Sequence, residues 1–377
     1  MLAVALVGGG VAWGIASGAL PGVIGHLQVL LPNGSSQSEG AAADVAAPDA
    51  DSAAPSDAAA PAVSESIVMT LGGAADTYVL VGEDFLDGGC HAYDTAAKTP
   101  LDTKAEGAVD TQTPGDYTVT YTAVDEAGAQ ATATRTVHVV ESFDDFDGNA
   151  ETLAVLMYHY IYTEDDPPEQ EDANYLLDTK FEKHLQYLTE HNYYYPSFAE
   201  VRAFTEGAHT LPARSVVLTF DDAQDGFLKY GTPLLNQYQV PGTSFMICSK
   251  KKSKAKIAKY TSPYVQFQSH SYDLHERGTD EGKGGIIHAK TVEELEGDLK
   301  RAQKILGTTE AFAYPFGDTD EDAEEALANL GVLCAFTVEN TRVEPGDNPL
   351  TLPRVRIAGE YAQEGFEYLV EPNGGEQ

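Results

Sequence analysis

The rhythm of apolar and polar positions divides the chain into four stretches. Residues 1–31 carry no Asp, Glu, Lys or Arg, and their apolar run from Leu2 to Leu20 is about a bilayer's worth of helix. The pattern predicts a signal anchor or transmembrane segment, although the basic flank that usually orients one is missing. Residues 32–65 are mostly Ala, Ser, Asp, Pro and Gly with no aromatic residue. Such a segment buries too little apolar surface to offset its ordering entropy, which predicts a disordered linker. In 66–141 the period changes to two: residues 117–124 and 132–140 alternate β-formers around the turn Glu126-Ala-Gly128, which predicts a hairpin.

From about residue 150 to the end, short apolar runs alternate with helical periodicity. Strands are predicted over 153–158, 215–220, 242–247, 265–269, 311–314 and 332–338. Helices are predicted over 179–191, 197–206, 225–238, 291–306 and 320–330, and Thr291 with Glu294 reads as a capping box. Alternation of this kind builds a parallel sheet, and its length suits one (β/α) barrel trimmed below eight units. The expected class is α/β, with a small all-β domain and a membrane helix ahead of it.

Charge sharpens this outline. The net charge of −36 falls on a chain whose first basic residue is Lys98, and phosphate backbones need basic surfaces, so nucleic acid is excluded as a partner. Anchor, linker and then folded domains is the layout of a tethered, extracytoplasmic protein. Of three cysteines (Cys90, Cys248, Cys334), Cys248 and Cys334 lie in apolar strand-like runs and read as buried thiols rather than a disulfide, and the odd count fits a protein without a disulfide framework. The run of lysines within 250–256 reads as a solvated helix face. His91, His138, His184, His191, His209 and His288 show no partner pattern, and 193–195 is a tyrosine run able to pack or to stack on sugar rings.

Chemistry gathers where the predicted strands end. The buried-looking run Val216-Val-Leu-Thr-Phe220 delivers adjacent carboxylates, Asp221 and Asp222, which repel unless one binds a cation and the other handles protons. His159 closes the strand Val155-Leu-Met-Tyr158. His270 and His275 are five residues apart, about 140° around a helix, so they could share one ion only from a strand end and the turn that follows. Two His and one carboxylate with an open position is a hydrolytic metal-site composition, suited to zinc, and Asp273 between them could orient one His. The run Ala311-Phe-Ala-Tyr-Pro-Phe-Gly317 closes a further strand in a tight turn.

Thr219-Phe-Asp-Asp222, His270-Ser…His275 and Tyr314-Pro-Phe-Gly317 resemble, in order, the motifs of the polysaccharide deacetylases, the NodB-like family 4 carbohydrate esterases. Leu156-Met-Tyr-His159 and the six-residue His-Ser-x-x-Leu-His form are similar to the branch acting on poly-N-acetylglucosamine exopolysaccharide. Thr113-Pro-Gly-Asp-Tyr117 and the alternation after it resemble bacterial surface immunoglobulin-like domains, which implies a β-sandwich spacer or wall-contacting module.

The resemblance implies Asp221 as catalytic base, Asp222, His270 and His275 as ligands of a divalent metal with zinc foremost, and His159 as general acid. It also implies Ser271 as a brace of the ligand loop and the backbone N–H near Phe316 as an oxyanion donor. Two features depart from the pattern. Ala313 stands where many members carry an Arg beside the base, and the usual C-terminal Leu-x-His is absent. Arg354 or Arg356 could replace the missing charge, and Arg354 is the one favoured.

The implied function is metal-dependent removal of N-acetyl groups from an N-acetylglucosamine polymer of the cell envelope. Exopolysaccharide, peptidoglycan and chitin linkages stay open. The alternatives are a non-catalytic surface glycan-binding or adhesion protein, and an O-acetyl esterase on the same scaffold.

Overall fold

The computed structural model describes residues 62–278 and 280–372, so the expected membrane segment and most of the linker lie outside the described residues. Within them, no helix is long and apolar enough to cross a membrane. The β-rich part comprises β1 (Ile67–Leu71), β2 (Asp76–Leu80), β3 (Cys90–Asp94), β4 (Thr99–Leu101), β5 (Thr103–Glu106), β6 (Gly115–Val124) and β7 (Gln130–Val140). They form a three-stranded sheet in the order β1-β3-β4 and a four-stranded sheet in the order β2-β7-β6-β5. The expected hairpin is β6–β7, paired antiparallel from Gly115 opposite Val139 to Val124 opposite Gln130. Its period-two pattern turns Val119, Tyr121, Ala123, Val137 and Val139 inward against Ile67, Met69 and Ala92.

In the second part β8 (Ala154–Tyr158), β9 (Tyr160–Tyr162), β10 (Tyr175–Leu177), α1 (Asp178–Glu190), α2 (Phe198–Thr205) and β11 (Val216–Phe220) come first. They are followed by α3 (Thr232–Tyr238), β12 (Gly242–Met246), α4 (Ser253–Tyr260), β13 (Val265–Ser269), α5 (Val292–Leu306) and β14 (Ala311–Ala313). The last are α6 (Glu321–Asn329), β15 (Cys334–Phe336), β16 (Val355–Arg356) and α7 (Gln363–Val370). Seven strands form one parallel sheet in the order β15-β14-β13-β12-β11-β8-β16. A parallel bridge between Phe336 and Leu352 draws its two edges toward each other, which gives the sheet the trimmed-barrel character expected. Its central strands are buried throughout, which is why β8 and β11 read as unbroken apolar runs.

Local chemistry explains where elements start and where the expectation missed. The Thr291–Glu294 capping box is present, and a second one joins Ser197 to Glu200. The single helix expected over 225–238 is instead a π turn at Phe227–Gly231 followed by α3. Pro233 has no N–H to return to the preceding turn, and the Thr232 N–H donates to the Phe227 carbonyl five residues back. Of the lysine run only Lys254 and Lys256 lie in α4, the first three preceding it, and Lys256 Nζ is not left to solvent: it reaches the Ala223 carbonyl at 3.2 Å and Asp225 at 2.8 Å. The two-residue β16, the β9–β10 pair and α7 were too short or too irregular to stand out by period. All three cysteines are free and buried.

The β-rich part is seated on the loops that precede the sheet strands. The Ala74 N–H donates to the Tyr195 carbonyl at 2.8 Å and Thr70 Oγ1 to the Ser262 carbonyl at 2.6 Å. His91 Nε2 meets Glu310 at 3.0 Å, and Glu83 accepts the N–H and the hydroxyl of Thr210. Gly73 has φ +80°, and a Cβ there would lie 2.7 Å from the Ser197 amide nitrogen, so only glycine admits this approach. Arg135, 1% exposed, donates to the carbonyls of Gly72, Ala74 and Gly89 and so fixes the segments that make the contact. Of the tyrosine run, Tyr193 and Tyr194 are buried, and all three line a cavity of about 320 Å³ between the two parts.

Candidate active site

Each predicted site residue except Arg354 follows the carboxyl end of a sheet strand. His159 follows β8, Asp221 and Asp222 follow β11, His270 follows β13, and Phe316 lies just beyond β14. Open α/β sheets present their ligand crevice at this edge because the loops there are free to carry chemistry. Four non-glycine residues with positive φ sit in these turns: Asp222 (68°), Ala223 (47°), Ser271 (74°) and Phe316 (60°). Such conformations cost of order 1 kcal/mol or more each and are held by the surrounding structure.

Asp222, His270 and His275 are brought together, with one ligand-type atom from each lying within 4.8 Å of the others. His270 Nε2 stands 3.5 Å and His275 Nε2 3.3 Å from Asp222 Oδ1. The other ring nitrogen of His270, Nδ1, donates to the Ala313 carbonyl at 2.7 Å, so Nε2 of the neutral ring presents a lone pair. The orienting partner of His270 is therefore this carbonyl and not Asp273, whose side chain is exposed. Gln224 donates to Asp222 Oδ2 at 3.1 Å, while Oδ1 is buried without a hydrogen-bond partner among the described residues. A buried, orphaned carboxylate oxygen facing two imidazole nitrogens calls for positive charge between them, which fits a divalent cation. The two histidines hold the Asp222 carboxyl well below the usual carboxylate range against the opposing effect of burial. Burial favours neutral His270, yet Asp222 and Asp221 outweigh it and raise the imidazole, another mark of a site that seeks a cation.

Asp221 is arranged differently. Arg354, fully buried, donates from Nη1 to Oδ1 and from Nη2 to Oδ2 of Asp221, both at 2.8 Å. Arg354 Nε is fixed on the Thr337 carbonyl at 2.9 Å and Nη1 also reaches Thr219 Oγ1 at 3.1 Å. The charge expected beside the base thus comes from just ahead of β16, whereas Arg356 turns to Asn174. Burial would raise the Asp221 carboxyl, but Arg354 overrides it and holds it below the ordinary value. His159 Nε2 lies 3.9 Å from Asp221 Oδ2. Burial lowers the His159 pKa, while Asp221 and Asp222 pull the other way without prevailing.

Phe316 lies in the turn Pro315–Gly317, its ring 4.4 Å from that of His275 and 4.1 Å from the Arg277 guanidinium. Gly317 has φ +73°, and a Cβ there would sit 2.8 Å from the Val338 amide nitrogen, so two left-handed residues in succession need glycine second. Ser271 Oγ accepts the Leu274 N–H at 3.0 Å, inside the ligand loop. Gln224 was not anticipated; its only signal was its place two residues after Asp222. Outside the site, His209 and His288 do have carboxylate neighbours: Glu83 stands 3.2 Å from His209, and Asp320 3.1 Å from His288. His91 and His138 likewise face Glu310 and Asp116 across strands or domains, contacts that no local sequence pattern signals.

A parallel α/β sheet bearing a carboxylate–histidine cluster and a guanidinium-paired aspartate at one edge defines the class. Two family models match within the chain: "Bacterial surface protein, Ig-like domain" over residues 69–139 and "Polysaccharide deacetylase" over residues 208–335. The chain carries a polysaccharide deacetylase domain behind a bacterial surface immunoglobulin-like domain. It is 25% identical over 221 residues to the poly-beta-1,6-N-acetyl-D-glucosamine N-deacetylase of Staphylococcus aureus strain MSSA476, covering 53% of this chain and 73% of that one. The enzyme of that description from Staphylococcus epidermidis strain ATCC 35984 is 25% identical over 218 residues, with 53% and 73% covered. Among solved structures, the Streptococcus pyogenes deacetylase PplD in complex with acetate superposes with a TM-score of 0.50 at 24% identity, covering 59% of this chain and 100% of that one, a likeness of fold.

Proposed function

We propose that this chain is a metal-dependent N-deacetylase acting on a polymer of N-acetylglucosamine, with the 1,6-linked polymer named for its staphylococcal relatives as the substrate. The carrying observation is the division of labour between adjacent carboxylates: Asp222 faces two imidazole nitrogens, and Asp221 faces a guanidinium. Asp222, His270 and His275 would hold the divalent cation, zinc by donor type. Bound there, it would lower the pKa of its water to about 7 and polarise the acetyl carbonyl.

Asp221, kept ionised and aligned by Arg354, takes a proton from the attacking water. The backbone N–H of Phe316 donates to the oxyanion of the tetrahedral intermediate. His159, beside Asp221, delivers a proton to the departing sugar amine as the C–N bond breaks. Acetate and a glucosamine unit are the products. On this reading the protein works outside the cytoplasm, tethered through its N-terminal apolar segment, with the linker giving it reach.

Acetate release by the full chain from 1,6-linked and 1,4-linked N-acetylglucosamine polymers and from an O-acetylated glycan tests the reading. Release is expected from the 1,6-linked polymer, abolished by chelation and reduced about 100-fold or more by Asp221→Asn, the scale of a lost general base. Release from the O-acetylated glycan alone would make the protein an esterase. No release from any of the three would leave a glycan-binding role in its place.

A further inference from the structure

Two histidines five residues apart can point at one ion only if the loop between them is closed, and something must hold it closed. Ser271 Oγ does so from within, accepting the Leu274 N–H at 3.0 Å. The Cys248 N–H donates to the Ser271 carbonyl at 3.0 Å, and the Ser249 N–H to the Tyr272 carbonyl at 2.8 Å, tying the loop to the segment after β12. Two of the loop's amide groups, those of Tyr272 and Asp273, point elsewhere, toward α5. There the Asp298 carboxylate, 1% exposed, accepts the Tyr272 N–H at Oδ1 (2.7 Å) and the Asp273 N–H at Oδ2 (2.9 Å). Arg301, one turn further along the helix, donates to Asp298 Oδ2 at 3.1 Å and lies over the Tyr272 ring at 4.3 Å.

We propose that Asp298 is a positioning residue for the cation site: from α5 it sets the separation and aim of His270 and His275 without touching either. The proposal rests on the cation-site reading above. Its physical basis is stoichiometric. Two neighbouring amide N–H groups need two acceptor oxygens, and a carboxylate offers one to each. An asparagine of equal size offers a single oxygen and sets its NH₂ against the second N–H, leaving a buried donor unpaired. The loop then relaxes, and the two imidazole nitrogens part. Outer groups that orient metal ligands commonly change metal affinity 10–100-fold, and Asp298 acts on two ligands through one loop.

The test is zinc affinity of the full chain, measured by competition with a chromophoric chelator, together with the visible spectrum of the cobalt-loaded protein. Neither readout depends on turnover. Asp298→Asn is expected to weaken zinc binding about 10–100-fold and to alter the cobalt absorption band, while the metal-free protein stays folded with a melting temperature lowered by a few degrees at most. Arg301→Ala, which removes an exposed partner and leaves the carboxylate in place, is expected to weaken zinc binding by a measurable factor below about tenfold and to shift the cobalt band. It is the deciding variant if Asp298→Asn does not fold. Zinc binding as tight in Asp298→Asn as in the wild type would overturn the proposal; so would a folded Arg301→Ala with unchanged affinity and spectrum where it is the deciding variant. A wild-type chain that binds neither ion would overturn the cation-site reading itself.

Discussion

Asp221 and Arg354 share a space that water does not reach, and their paired bonds at 2.8 Å are what keep a carboxylate charged there. Removing one member of a buried pair leaves the other charge uncompensated, at a cost of about 3–5 kcal/mol, whereas replacing both with groups of similar shape can be neutral. Arg354→Met should therefore lower the melting temperature by several degrees, and it should cut acetate release about 100-fold or more by leaving the base protonated. The double variant Arg354→Met, Asp221→Asn should melt closer to the wild type than Arg354→Met does, while staying inactive. Calorimetry and acetate assays on the three proteins check this. An Arg354→Met protein that melts and turns over like the wild type would contradict the pairing. The neighbouring carboxylate is held by weaker means, Gln224 on one oxygen and, among the described residues, no hydrogen bond on the other, which faces the two imidazoles and suits a group waiting for a cation.

At the scale of elements, strands buried on both faces announce themselves, since β8 and β11 are continuous apolar or β-branched runs with polar residues just beyond them. The Asp221–Asp222 pair and His159 were legible for the same reason, because each stands where such a run stops, whereas His270 follows the alternating strand β13. Convergence was harder to read. Nothing in the spacing of 270 and 275 says that the intervening loop folds back, since that depends on Ser271 adopting φ 74° and on a carboxylate from α5. The charge partner of Asp221 was narrowed to two arginines with Arg354 favoured; residues two apart share one face of a strand, and only the fold shows that Arg354 reaches Asp221 while Arg356 turns to Asn174. The π turn before α3 and the helix α7 were illegible to periodicity, the first because Pro233 breaks the ladder and the second because it spans only 8 residues, with its apolar residues bunched at its end.

At the scale of the molecule, the immunoglobulin-like domain meets the loops ahead of the strands while the candidate chemistry lies beyond their other ends. It behaves as a floor to the sheet more than as a loose spacer. A chain lacking residues 62–141 should lose the bonds at Tyr195, Ser262, Glu310 and Thr210, expose Tyr194 and Phe146, and melt several degrees lower with turnover per folded molecule largely kept. Equal melting temperatures, by calorimetry, would show the contact to be without energetic weight. At the opposite edge the two adjacent carboxylates divide their roles, Asp222 facing the imidazoles and Asp221 the guanidinium. A crystal of the full chain grown with zinc tests this division most directly. The expected result is a single anomalous peak about 2.0–2.2 Å from Asp222 Oδ1, His270 Nε2 and His275 Nε2, with Asp221 still paired to Arg354. An ion bound through Asp221, or no ion among these residues at saturating zinc, would contradict it.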